Sequence, residues 1–208
     1  MALYVPPAFA VSDRMLALRM VDEHPFATLV TPSGGEQQVT HLPLTRDGDA
    51  LLGHVARANP HWRSFGAAES LAIFAGPHAY VSPTWYAAPQ AAVPTWNFAV
   101  VHIQGRIEIL DDARDRERVL DHMVTLFEGE GERAWRFALA GRERDAMLGA
   151  IVAFRLPIER LTAKFKLSQN RGADDRARVA AALAHSDEAQ AQATAAWMRH
   201  AGAVDDDP

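Results

Sequence analysis

FATLVTPSGGEQQVTHLPLTRDGDALLGHVARANPHW, residues 26–62, decides how the chain is read. Three short segments rich in apolar and β-branched residues, FATLVT, QVTHLPLT and ALLGHVA, are separated by PSGG and RDGD. Gly and Asp supply the backbone conformations that tight turns need, so the spacing predicts an antiparallel meander. Asn59 followed by Pro60 has the form of an N-cap with proline at the first helical position. The strand ending near Ala56 is therefore expected to run straight into a short helix carrying Trp62 and Phe65. That places GHVARANPHW (53–62) at a strand-to-helix corner.

Upstream, Met15, Ala17, Leu18 and Val21 give a helical apolar spacing over residues 13–23, with Ser12 as the expected cap and Pro25 as the stop. Downstream, LAIFAG and HAYVS predict a strand pair interrupted by Gly76 and Pro77, and FAVVHIQGRIEIL is the longest strand signal, with a bulge or bend at Gly105. Residues 111–149 turn charged and helix-favouring, spaced for amphipathic helices that cover one end of a sheet. Strand character resumes in AIVAFRLPIERLTAKFK. Ser168 is then expected to cap a final helical region, in which Ser186 starts the last helix and Gly202 ends it, leaving DDDP (205–208) frayed. A block of strands with helices between and after, and no βαβ alternation, predicts an α+β barrel.

A chain of 208 residues can bury one sizeable core. It has no cysteine, which excludes disulfides, thiolate metal sites and cysteine nucleophiles and fits a reducing cytoplasmic setting. The opening MALYVPPAFAVSDRM lacks the basic and apolar regions of a signal peptide, and no run approaches the ~18 apolar residues of a membrane span. The expectation is a cytoplasmic protein with no membrane partner. A formal net charge of -5 argues against a surface built to neutralise many phosphates.

The polar and aromatic residues gather in HLPL (41–44), GHVARANPHW (53–62), GPHAYVSPTWY (76–86) with VPTWN (93–97), and KFKLSQNR (164–171). The nine histidines show neither H-x-x-x-H on a helix nor H-E-x-x-H, so no metal is expected. No G-x-S-x-G elbow surrounds a serine and no G-x-G-x-x-G opens a helix, which removes serine-nucleophile and dinucleotide readings. KFKLSQNR has two readings. Lys164, Lys166, Ser168, Gln169, Asn170 and Arg171 form a phosphate-holding donor set, helped by free N–H groups if Ser168 opens a helix, or the lysines are the solvent face of a strand. In the corner, Arg57 and Arg63 suit a phosphate or a pyrimidine carbonyl, whereas Asn59 has a capping role and Trp62 a packing role. Trp85, Tyr86 and Trp96 either wall a planar ring or seal a subunit interface.

YVPPAF (4–9), HLPL, GHVARANPHW, IFAGPHAYVSPTWY (73–86), VPTWN followed by VHIQG (101–105), and KLSQNR (166–171) together resemble the PaiB family of FMN-binding negative transcriptional regulators, from about Tyr4 to Arg178. The resemblance implies a split β-barrel of the flavin-reductase and pyridoxamine-phosphate-oxidase type, with peripheral helices, working as a homodimer with FMN at the subunit interface. It implies an FMN-binding domain over residues 1–172 and a helical tail over 173–208 packed on it. The cofactor residues it points to are His41, His54, Arg57, Ala58, Asn59, Ser82, Trp85, Trp96, Lys164, Lys166, Ser168 and Gln169. Within that set Lys164, Lys166, Ser168 and Gln169 hold phosphate or ribityl oxygens; His54 and Tyr86 are nominated separately to donate to a bound substrate. No helix-turn-helix with basic flanks is evident, so regulation through flavin binding, redox chemistry or a protein partner is expected ahead of direct DNA contact. The alternative is a flavin- or haem-dependent oxidoreductase with no DNA role.

Overall fold

A computed structural model of the chain describes residues 3–131, 134–136 and 138–204. The chain forms α1 (Arg14–Glu23), β1 (Phe26–Ser33), β2 (Glu36–Pro43), β3 (Thr45–Asp47), β4 (Ala50–Ala56), β5 (Ser70–Val81), β6 (Thr95–Gly105), β7 (Glu108–Leu110), α2 (Ala113–Glu128), α3 (Gly141–Gly149), β8 (Ile151–Pro157), β9 (Arg160–Lys166), α4 (Ala173–Ala184) and α5 (Ala189–His200). One sheet has the order β2-β1-β5-β6-β9 and the other β3-β4-β8-β7. The chain divides into two compact units, one of Met1–His24, Phe74–His102 and Thr162–Pro208, the other of Pro25–Ile73 and Ile103–Leu161. Among the described residues no helix is long and apolar enough to cross a membrane.

In the second unit the expected hairpins are present. Gly34 and Gly35 both take positive φ, 60° and 87°, the twist that matches a two-residue hairpin between antiparallel β1 and β2. The meander, however, does not continue as one sheet. Pro43 has no N–H for a further ladder bond, Leu44 turns its N–H to the Pro25 carbonyl at 2.9 Å, and Thr45 opens β3 in the other sheet. Leu44 itself is fully buried.

β4 pairs antiparallel with β8 along its whole length, and β7 pairs with the other edge of β8. α2 lies on this sheet, packing Val119 and Met123 against Leu52 and Ala153. Burial of each of the Val, Leu and Met side chains contributes about 1.5–3 kcal/mol. Phe154, on the opposite face of β8, meets Phe65 edge-on at 4.9 Å, and Phe65 meets His61 at 5.1 Å. The charged stretch after α2 yields a helix only from Gly141; residues 134–136 and 138–140 are not helical, and 132, 133 and 137 lie outside the described residues.

β5 runs unbroken through Gly76 and Pro77 and is the longest strand among the described residues, while the FAVVHIQGRIEIL signal splits into β6 and β7 around Gly105. Gly76 is a packing glycine: a Cβ there would lie 3.0 Å from Met20 Sδ of α1. α1 is capped by Asp13 in place of Ser12, its Oδ1 accepting from the Met15 and Leu16 N–H groups at 2.8 and 3.2 Å. The buried Trp197 of α5 packs edge-on against Phe165 of β9 at 5.5 Å.

Two further caps differ from expectation. Ser168 caps no helix: it sits at φ 69°, its hydroxyl is bonded to Asn97, and α4 begins only at Ala173 with Gly172 at its N-cap. The last helix begins at Ala189, and Ser186 contributes by accepting from the Glu188 N–H at 3.2 Å. Gly202 does end it, at φ 63°. Residues 205–208, expected to fray, lie outside the described residues.

Candidate functional site

The GHVARANPHW corner belongs to the second unit. β4 ends at Ala56, and a 3-10 turn, Pro60–Ser64, follows, with Asn59 Oδ1 accepting from the His61 N–H at 3.0 Å. The same amide donates through Nδ2 to Thr40 Oγ1 at 3.0 Å, and Thr40 Oγ1 lies 2.8 Å from His61 Nδ1. This closes a ring of bonds between the corner and β2. His61 is 1% exposed, burial pulls its pKa below the ordinary histidine value, and its Nε2 has no partner among the described residues. Arg57 is directed elsewhere: Nε donates to the Gly149 carbonyl at 2.7 Å and Nη2 to the Ile151 carbonyl at 3.0 Å. Trp62 donates from Nε1 to the Arg57 carbonyl at 3.0 Å, with the Arg57 and Arg63 guanidinium groups 5.9 and 5.6 Å from its ring centroid.

The other nominated residues of this unit are set apart from that ring. His54 shares a face of β4 with Leu52, the face covered by α2, and stands opposite Ala153. Its buried Nδ1 is without a partner among the described residues, and burial lowers its pKa. His41 is exposed on β2, with Nδ1 3.0 Å from Thr28 Oγ1, and Ala58 is exposed in the turn.

The KFKLSQNR segment belongs to the first unit. Lys164 and Lys166 project from the same side of β9, alternating with buried Ala163, Phe165 and Leu167, so the strand alternation expected of a solvent face is present. Both lysines are only partly exposed. Lys166 Nζ donates to Thr95 Oγ1 and to the Trp96 carbonyl, each at 2.6 Å, and Lys164 Nζ donates to the Tyr4 carbonyl at 3.1 Å. Arg171 lies over the Tyr86 ring, its guanidinium carbon 4.5 Å from the centroid. Burial first, then the charges of Lys164 and Arg171, lower the Lys166 pKa below the ordinary lysine value. All the acceptors that hold the two lysines are neutral, and none of the three cations has a carboxylate partner among the described residues.

Ser168 and Gln169 are bound within the chain. Ser168 exchanges hydrogen bonds with the fully buried Asn97, and Gln169 folds back, accepting from the Leu167 N–H at 2.7 Å and donating to the Phe165 carbonyl at 2.6 Å. Ser82 caps the Pro83–Trp85 turn by accepting from the Thr84 N–H at 3.2 Å. Trp85 is half-buried and Tyr86 buried, whereas Trp96 is exposed beside His78 and Tyr80, each 6.2 Å away between centroids. Thr40, and Thr95 and Asn97 within the VPTWN cluster, are polar residues to which the sequence assigned no individual role. Their roles come from pairings far along the chain, for which no local pattern exists.

A flavin mononucleotide offers a phosphate dianion and a flat ring system. The cationic end of β9 has unbalanced positive charge and free donors for the first, and the exposed aromatic faces of Trp96 and Tyr80 suit the second. Residues 3–160 match the family model described as "Putative FMN-binding domain". The protease synthase and sporulation protein PAI 2 of Bacillus subtilis (strain 168) is 34% identical over 203 residues, spanning 94% of this chain and 96% of that protein. Among solved structures, flavocytochrome Anf3 from Azotobacter vinelandii superposes with a TM-score of 0.62 at 22% identity, over 76% of this chain and 69% of that one. The FAD and heme binding protein from Mycobacterium smegmatis gives 0.63 at 19% identity, over 81% of this chain and 78% of that one. These two likenesses give the fold, an α+β split barrel with antiparallel sheets. The match over most of the chain gives the family: the protein belongs to the PaiB-type FMN-binding domain family, with FMN as its cofactor.

Proposed function

We propose that residues 1–172 form the flavin-binding part of a homodimer, with FMN at the seam between subunits and the helical tail 173–208 packed on it, and that the protein acts as a PaiB-type negative regulator through flavin binding. The observation that carries the cofactor assignment to a place in the chain is the group Lys164, Lys166 and Arg171, positioned by neutral acceptors and an aromatic face with no carboxylate partner among the described residues. In this reading those cations hold the phosphate. Ser168, Gln169 and Asn97 keep the turn that aims them. Ser82 and Trp85 shape the adjoining loop, and Trp96 faces the flat ring. Asn59 fixes the GHVARANPHW corner against β2.

When bound, FMN supplies hydride or electron transfer, and the chain supplies placement, positive charge and exclusion of water. Direct DNA contact is no part of this reading, since the net charge is -5 and the helices carry interleaved acids and arginines.

The test is the absorption spectrum of the purified protein together with titration of apo-protein by FMN and by riboflavin. FMN is expected to bind tighter than riboflavin, and Lys166→Met is expected to erase most of the difference. Equal affinities for the two flavins in the unaltered protein would overturn the phosphate assignment. Sedimentation of the FMN-loaded protein as a monomer would overturn the dimer.

A further inference from the structure

The N-terminal segment is bound to the strand that carries the two lysines. Ala10 forms an antiparallel bridge with Lys164, and the Val11 N–H donates to the Ala163 carbonyl at 3.3 Å. Pro6 and Pro7 lead into a one-turn 3-10 helix, Pro7–Phe9, that buries Phe9 with its ring centroid 5.8 Å from Lys166 Nζ. Further toward the N-terminus the Tyr4 carbonyl accepts from Lys164 Nζ at 3.1 Å. The ammonium then stands between two rings, 5.3 Å from the Tyr4 centroid and 5.4 Å from that of Phe98.

Tyr4 is 80% exposed, so burial of its ring does not account for its position. Its contacts with Lys164 do. A free lysine side chain samples many rotamers, and a neutral carbonyl with two ring faces restricts it without cancelling its charge. Lys164 donates one N–H to Tyr4 and has two more for another acceptor.

We propose that Tyr4 is a positioning residue for the anion site: from the N-terminal segment it holds the Lys164 ammonium in the orientation in which it meets the flavin phosphate. The inference rests on the reading of the β9 cations as the phosphate-holding group. Tyr4 touches the lysine, and the lysine touches the phosphate. The phenol oxygen has no part in this, so phenylalanine serves equally well.

The experiment measures dissociation constants of FMN and riboflavin for the full-length protein and for Tyr4→Phe, Tyr4→Ala, Lys164→Met and Lys166→Met. Tyr4→Ala is expected to weaken FMN about two- to fivefold, as for loss of an exposed cation–π contact, and to leave riboflavin unchanged. Tyr4→Phe is expected to match the unaltered protein. If Tyr4→Ala weakens both flavins equally, or neither, while the lysine variants lose their preference for FMN, the positioning role is overturned and the phosphate site stands. If the lysine variants keep the full preference for FMN, the phosphate site is overturned and the role of Tyr4 with it.

Discussion

Asn97 and Ser168, 71 positions apart, exchange two hydrogen bonds: Asn97 Nδ2 donates to Ser168 Oγ at 3.0 Å, and Ser168 Oγ donates to Asn97 Oδ1 at 3.1 Å. Both residues are buried, and Ser168 is held at φ 69°, a conformation that side chains rarely adopt. The pair fixes the chain where β9 ends, between Lys166 and Arg171. Ser168→Ala leaves the buried Asn97 amide short of a partner and should cost about 1–3 kcal/mol. Ser168→Gly loses the same hydroxyl but relieves the left-handed backbone, so it should be milder by about 1 kcal/mol. Urea unfolding of both variants checks this; equal losses would remove the strain argument.

The lowered pKa of Lys166 gives FMN binding a pH dependence. Its folded value lies below the ordinary lysine value of about 10.4, so the apo-protein loses this charge earlier than a free lysine as pH rises. Phosphate binding favours the charged form. FMN affinity should therefore fall with rising pH through a window that opens below about 10.4, whereas riboflavin, with the same ring and no phosphate, controls for titration of the ring. Lys166→Met should abolish the difference between the two profiles in isothermal titrations across that range.

Two buried glycines should respond differently to alanine. At Gly53 a new Cβ would lie 2.6 Å from Leu44 Cδ2 and 3.0 Å from Phe154 Cζ, both side-chain ends that can shift. At Gly105 it would lie 2.1 Å from the Pro157 carbonyl oxygen, which is backbone in a paired strand. Gly53→Ala is expected to cost about 1–3 kcal/mol, in the range for overpacking, and Gly105→Ala more. Thermal unfolding followed by circular dichroism ranks them; the reverse order would contradict the geometry.

Acid should destabilise the fold through buried histidines. Burial lowers the pKa of His54, His61 and His102, and of His24 against an opposing effect of Glu23. As pH falls below the unfolded value of about 6.5, the unfolded chain takes up protons that the folded one does not. Stability is thus complete above that value and declines as pH drops toward the lowered folded values. The melting temperature should fall on acidification from neutrality, and less steeply in His61→Gln.

At neutral pH the ring of bonds around His61 is the test of the corner. Thr40→Val leaves His61 Nδ1 and Asn59 Nδ2 without their shared partner and should cost about 1–3 kcal/mol in urea unfolding. A neutral effect would mean that the ring does not hold the corner to β2.

Much of this was legible in the chain itself. Paired glycines at 34 and 35 specified a hairpin, and Asn59-Pro60 specified the turn after β4, because both are local backbone effects within a few residues. Alternation in KFKLS placed Lys164 and Lys166 on one side of a strand and the apolar residues on the other. What only the tertiary structure decided depends on distant partners. The passage of the chain after Leu44 into another sheet, Gly76 as a seat for Met20, the withdrawal of Ser168 from helix capping to bond Asn97, and the engagement of Arg57 with two carbonyls all follow from pairings far along the chain. A sequence pattern records what neighbouring residues favour, whereas a polar side chain facing several partners takes the one that packing brings within hydrogen-bond reach.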